Sequence, residues 1–281
     1  MLTPELSAVI LGSLAALCWG TGDFSGGLAS RRTNLFLAIT VSQFVGLLLL
    51  VVVALWSAEP FPAPSELLWG ALAGLAGTAG ITALYAGLVG GKMGIAAPLA
   101  AVVSAAIPVA LAAFLVGLPS PQQTAGLFIG LFAVWFLSGI GLPHREPHEP
   151  LLLPFLAGFG FAAFYIIIDQ VSGRAVFWPL VAARGTSGFV MLLIVLWRGY
   201  GSKPSPTALL LMIITGLFEA GGNAFYALSA RAGRLDIAVV LASLFPAATV
   251  LLARIFLQER LNRIQIIGVA IALLALFLIA L

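Results

Sequence analysis

The sequence predicts an all-α polytopic membrane protein with ten transmembrane helices in two inverted five-helix repeats. Three observations predict it. The 281 residues are 62% hydrophobic and only 8% charged, against about 25% charged in an ordinary soluble domain. The apolar residues gather into ten runs, each close to the roughly 20 residues that cross a bilayer as a helix. The chain also matches itself at an offset near 142 residues.

The composition excludes several classes. Thirteen Lys and Arg against ten Asp and Glu leave a net charge of +3, and mean hydropathy is +1.15. So few charges cannot clothe a soluble protein of this size, which rules out a soluble enzyme, a nucleic-acid partner and a disordered chain. The pI near 9.4 is read through where the charges sit, not as a sign of an acidic partner. The 31 glycines follow no three-residue period, which excludes collagen. Cys18 stands alone in an apolar run, so no disulfide framework or metal cluster is available.

Taken in order, the runs cover about 6–25, 35–57, 67–89, 95–117, 123–141, 151–169, 176–197, 207–229, 236–257 and 264–281. The first opens Met1-Leu2-Thr3-Pro4-Glu5 and holds Trp19 and Asp23. It has neither the basic start nor the clean cleavage site of a signal peptide, and reads as a retained helix. Between runs lie turn signals: Arg31-Arg32-Thr33-Asn34, Glu59-Pro60-Phe61-Pro62, Pro119-Ser120-Pro121 and Ser202-Lys203-Pro204-Ser205-Pro206. The breaks near 89–95 and 229–236 are short and partly apolar, so nine or eleven spans are the alternatives. Near-continuous apolar runs without polar alternation argue against a β-barrel.

The longest connection, Gly141 to Pro150, divides the chain into residues 1–141, a linker loop at 142–150, and residues 151–281. A shift of 142 pairs Gly91 with Gly233, Lys92 with Arg234, Gln123 with Gln265 and Gly126 with Gly268. A shift of 141 pairs Gly80 with Gly221 and Tyr85 with Tyr226, and one of 146 pairs Gly12 with Gly158 and Asp23 with Asp169. Because five is odd, the second half must enter the membrane in the opposite sense. That arrangement serves alternating access in many secondary transporters and places a substrate cavity between the halves.

Connections after the odd-numbered spans hold Arg31, Arg32, Lys92, Arg145, Arg198, Lys203, Arg260 and Arg263, and the others hold Arg174, Arg231 and Arg234. The positive-inside rule puts the first group in the cytoplasm and both termini outside.

Ionisable groups at membrane depth are costly and face a bundle interior or a wet cavity. Glu219 lies some twelve residues into its run. It reads either as a protonatable or cation-attracting cavity group, or as a neutral interhelical hydrogen-bonding residue. Asp23 and Asp169, near the ends of spans one and six, read either as paired gating contacts or as solvated interfacial acids. Arg184 sits about eight residues into span seven and cannot lose its proton. It needs water, an acid such as Glu219, or a substrate anion, unless it snorkels to the interface.

Trp19, Gln43, Tyr85, Tyr165, Asn223 and Tyr226 are candidate cavity residues, because a polar solute leaving water must regain its hydrogen bonds. Trp56, Trp69, Trp178 and Trp197 read instead as interfacial anchors. Gly70 to Gly74 and Gly12 to Ala16 offer small faces for helix packing. Pro98, Pro108 and Pro246 fall inside spans four and nine, where proline frees a carbonyl and kinks the helix.

No catalytic set, metal site or cofactor site is visible. Gly22-Asp23-Phe24-Ser25-Gly26-Gly27 lacks the lysine and the strand–loop–helix setting of a phosphate loop. Ser104 and Ser243 have no intramembrane His.

The segment Ala238 to Arg254 continues through Gln258-Glu259-Arg260-Leu261-Asn262-Arg263-Ile264-Gln265. It resembles the EamA branch of the drug/metabolite transporter superfamily, as do Trp19-Gly20-Thr21-Gly22-Asp23-Phe24 and Tyr85-Ala86. The resemblance spans essentially the whole chain, although Val116-Gly117-Leu118-Pro119 departs from the motif that Glu259 and Arg260 match. It implies two EamA-type five-helix halves around a central cavity, in a secondary carrier of the inner or plasma membrane. It also implies cytoplasmic termini, against the charge count, so orientation stays open.

The expected function is a multi-pass secondary transporter that exports or exchanges a small metabolite, amino acid or drug-like solute. Its partners would be that solute, a coupling proton or counter-solute, the lipid bilayer and, as an open case, a second copy in a homodimer. The alternative is a non-transporting scaffold or solute-binding module with the same fold.

Overall fold

A computed structural model describes residues 3–89, 100–101, 103–104, 107–108, 111, 115, 117, 120–137, 152–171, 175–232, 235–256 and 263–280. All of its regular structure in that range is helical. The helices are α1 (Pro4–Arg32), α2 (Leu35–Trp56), α3 (Pro64–Val89), α4 (Pro121–Leu137), α5 (Leu152–Val171), α6 (Phe177–Arg198), α7 (Pro206–Ala232), α8 (Leu235–Ala242), α9 (Phe245–Phe256) and α10 (Arg263–Ala280). Among the described residues, seven helical runs are long and apolar enough to cross a membrane, with Ala238–Phe256 taken as one run.

Local chemistry explains where the helices begin. Four of them, α1, α3, α4 and α7, open on a proline, whose missing N–H costs nothing in the first turn. The Thr3 hydroxyl accepts from Leu6 N, Asn34 accepts from Phe36 N and Leu37 N, and Glu66 reaches back to Ala63 N. α6 ends on Gly199 in the left-handed region at φ 66°, which lets Tyr200 N bond back to Val195 O.

Helix α1 packs on α7, α3 on α5 and α6, α2 on α6 and α7, and α4 on α10, while α8 and α9 lie against α1. Glycines let these backbones meet. Gly70 and Gly74 of α3 face the backbone of Pro179 and Ala183 in α6, the packing role expected of that small-residue face. Gly216 of α7 faces the Ser42 carbonyl of α2 in the same way. Gly12 lies against Leu241 and Ser229, and Gly158 against Ala100 and Val103. The outer faces carry Leu48, Val52, Leu55, Phe189, Leu193 and Leu196, all exposed to the lipid side.

Several expectations change. Span nine is not one helix. It stops at Ala242 and restarts at Phe245 through a turn at Ser243 and Leu244. Pro246 occupies the first turn of α9, where proline is tolerated, and the break lies just before it, ending the preceding helix at Ala242. Pro108 is helical and buried, and Pro98 lies outside the described residues. Span one extends to Arg32, so Asp23 sits well inside a helix and not near its end. Trp56, Trp69 and Trp197 are exposed as interfacial anchors would be, but Trp178 is bound to the α2–α3 connection.

A Cβ at Gly74 would collide with the Ala183 backbone, whereas at Gly185 it would meet only Leu47 at 3.9 Å. Gly74→Ala should therefore lower the thermal unfolding midpoint in detergent, by the equivalent of about 1–3 kcal/mol. Gly185→Ala should leave it unchanged or raise it by up to about 1 kcal/mol.

Candidate functional site

A cavity opens where α1, α2, α3, α5, α6 and α7 converge, with Phe245 of α9 at its edge. Each polar group reaches it because a neighbouring helix presents a small residue. Gly22 leaves room for the Glu219 carboxyl, Gly26 for the Tyr85 ring and Gly222 for the Trp19 indole. The cavity leaves about 70 Å³ for the centres of water-sized molecules, several times the roughly 10–15 Å³ that one water requires.

One wall is charged. Arg184, about two turns into α6 and 5% exposed, donates from Nη1 to Gln43 Oε1 at 2.8 Å. Its Nη2 lies 4.0 Å from Glu219 Oε2. Glu219 stands at the middle of α7, and its carboxyl is in hydrogen-bond contact with that of Asp23, which is 4% exposed. Ionised carboxylates only accept. Glu219 Oε1 is buried with no hydrogen-bond partner among the described residues. Arg184 Nε and the Tyr85 hydroxyl are likewise buried without a protein partner.

A second wall is aromatic. Trp19 stacks on Tyr165 with centroids 5.5 Å apart, and Tyr226 backs both rings at 5.6 and 4.8 Å. The Trp19 indole is fixed by donating to Asn223 Oδ1 at 2.9 Å. A third surface carries hydroxyls. Thr78 and Ser187 both donate to Gly74 O, at 2.7 and 2.9 Å, and Thr215 donates to Ser25 at 3.0 Å.

Of the residues singled out from sequence, Trp19, Asp23, Gln43, Tyr85, Tyr165, Arg184, Glu219 and Asn223 line this cavity. Tyr226 lies behind the aromatic wall. Asp169 does not line the cavity and is half-buried on α5, so the two aspartates paired by sequence have different surroundings. Sequence reasoning missed Ser42, Thr78, Ser187 and Thr215. A signal existed for three of them. Ser187 and Thr215 sit one helical turn from Arg184 and Glu219, and Thr78 matches Glu219 at the 141-residue offset.

The offset recurs in space. Gln43 and Arg184 are 141 residues apart, the same separation as Tyr85 and Tyr226, and they touch. Trp19 and Tyr165 share the separation of Gly12 and Gly158, and they stack.

The fold and the cavity thus define a polytopic helical membrane protein with an interior charged cavity. The chain belongs to the EamA-like transporter family, whose model matches it over residues 6–139 and again over 149–281. Members of that family are multi-pass membrane transporters of the inner or plasma membrane and not enzymes. A solved crystal structure of a protein with 18% sequence identity aligns over 98% of each chain with a TM-score of 0.79, which shows a shared fold. No curated protein gives a significant sequence match.

Removing the guanidinium leaves the acids without their cation. Arg184→Leu should cost about 3–5 kcal/mol of stability, read as a lower unfolding midpoint in detergent. Adding Glu219→Gln should recover part of that loss. A double variant whose loss equals the sum of those of Arg184→Leu and Glu219→Gln would mean that the pair contributes no mutual stabilisation.

Proposed function

We propose that this protein is a secondary transporter that exports or exchanges a small polar metabolite, amino acid or drug-like solute. It works by alternating access between two inverted five-helix halves, residues 1–141 and 151–281. The observation that carries this reading is the charged cavity itself, with Arg184 joined to its counterpart Gln43 and to Glu219 at its centre. Residues related by a two-fold axis can touch only where that axis passes between them. Gln43–Arg184 and Trp19–Tyr165 are two such contacts.

Packing supports the same symmetry. If spans one to five exchange with six to ten, the α1–α7 contact maps onto α3–α5, and α3–α6 onto α2–α7; all four contacts occur. The broken run at Ser243 and Leu244, beside the cavity residue Phe245, fits the discontinuous helices of such carriers. The two separate family matches fit two related halves.

The coupling ion in this reading is a proton shared by Asp23 and Glu219. Two carboxyls in contact away from water do not both stay ionised. Deprotonation then accompanies entry of the solute beside Arg184, and reprotonation accompanies its release. In proteoliposomes, solutes of several classes (amino acids, nucleosides, sugars and cationic drugs) should be screened for flux driven by a pH gradient. Glu219→Gln should abolish the dependence of that flux on the gradient. Binding of solutes without movement above protein-free vesicles would favour a scaffold or binding module instead.

A further inference from the structure

Helix α6, which carries Arg184, begins without a cap of its own: its N-cap residue is Val176, whose side chain makes no capping bond. The first N–H groups of any helix need partners from outside. Here they come from Glu59, in the connection between α2 and α3. Its Oε1 accepts from Val176 N at 2.5 Å, and its Oε2 accepts from Phe177 N at 2.8 Å and Trp178 N at 3.2 Å. The Trp178 indole donates back to Glu59 O at 3.2 Å. The Phe61 ring meets the Trp178 ring edge-on at 5.1 Å. A carboxylate on exposed N–H groups at the positive end of a helix is a charge-assisted contact. It ties residues 59–61 to residues 176–178 across the two proposed halves.

The opposite membrane face has the equivalent contact in a weaker form. Phe36 and Trp178 are each the second residue of their helix and 142 positions apart, and Glu59 lies 141 positions before Tyr200. Tyr200, in the α6–α7 connection, stacks on Phe36 with centroids 5.7 Å apart and planes 14° from parallel. The first N–H groups of α2 are met by its own Asn34, not by a carboxylate of another described connection. Helix α2 spans from one contact to the other, so the two clasps lie on opposite faces.

Resting on the transport reading above, we infer that Glu59 is a gating residue. Its carboxylate clasp on the start of α6 latches shut the mouth on its own face of the membrane. When halves rock about a central site, a contact that bridges them at one face must break for that face to open. Several charge-assisted hydrogen bonds to the start of α6 make the Glu59 face costly to open.

The test reads accessibility and needs no known solute. The protein, with Cys18→Ser as background and Ser42→Cys as the cavity reporter, is placed in sealed vesicles. It is labelled by a membrane-impermeant maleimide from each face, and Ser65→Cys in a parallel sample marks the Glu59 face. Glu59→Ala should raise reporter labelling from the Glu59 face by about tenfold, the scale of losing one charge-assisted hydrogen bond. Labelling from the other face should not rise. Tyr200→Ala should raise labelling from the Tyr200 face by about threefold, the scale of a ring stack. If Glu59→Ala does not fold, Glu59→Gln and Phe61→Ala are read in the same way, each with a smaller increase on the same face. Unchanged labelling from the Glu59 face, or an equal rise from both faces, overturns the proposal. Face-specific labelling without solute flux would sink the transport reading and leave the latch. Solute flux with labelling unmoved by these variants would sink the latch alone.

Discussion

A guanidinium that keeps its proton, placed where neither bulk water nor lipid can solvate it, is the constraint around which this protein is arranged. Arg184 reaches Gln43 and comes within 4.0 Å of Glu219, and Glu219 in turn lies against Asp23. The cost of burying charge is met by partners, and each partner arrives on a different helix. Four helices are committed to one small volume by that requirement: α6 for Arg184, α2 for Gln43, α7 for Glu219 and α1 for Asp23.

Such convergence needs backbones closer than ordinary side chains allow, and the glycines supply it. In a bilayer there is little hydrophobic force between helices, so close packing and interhelical hydrogen bonds hold them together. Gly22, Gly26 and Gly222 yield space to cavity-lining side chains, while Gly74 and Gly216 yield it to neighbouring backbone. Thr78 and Thr215 donate to carbonyls one turn back in their own helices, and Ser187 donates across to the Gly74 carbonyl of α3. Among the described residues, Arg184 Nε, Tyr85 OH and Glu219 Oε1 of the cavity wall are buried without a hydrogen-bond partner. Those three mark where a solute, a proton or water has unmet hydrogen-bonding partners.

Much of this was legible in the chain. Helix positions followed from apolar run length, and α2, α6 and α10 agree with the runs to within one residue at each end. Eight of the ten candidate cavity residues line the cavity, because a polar side chain in an apolar span has few other places to go. What failed did so for physical reasons. Hydropathy does not register where a helix breaks when both sides are apolar, and Pro246 signalled a disturbance of span nine without showing that it is a full interruption at Ser243 and Leu244. A sequence match does not fix environment, so Asp23 and Asp169 looked equivalent until their neighbours were seen. Small hydroxyl residues carry no distinctive signal alone, and Thr78 and Ser187 were passed over.

The scarcity of charge by itself determined that the chain lives in a membrane, and the few charges inside its spans determined which positions matter. Both follow from one-dimensional quantities: length, hydropathy and the cost of an ion in hydrocarbon. Only the tertiary structure decided that Arg184 meets Gln43, that Glu219 meets Asp23 and not Asp169, and that Glu59 caps a helix 117 residues further along. Those pairings depend on which faces of distant helices are turned toward each other. That choice is made by glycine contacts and packing across the whole bundle, and no local pattern encodes it.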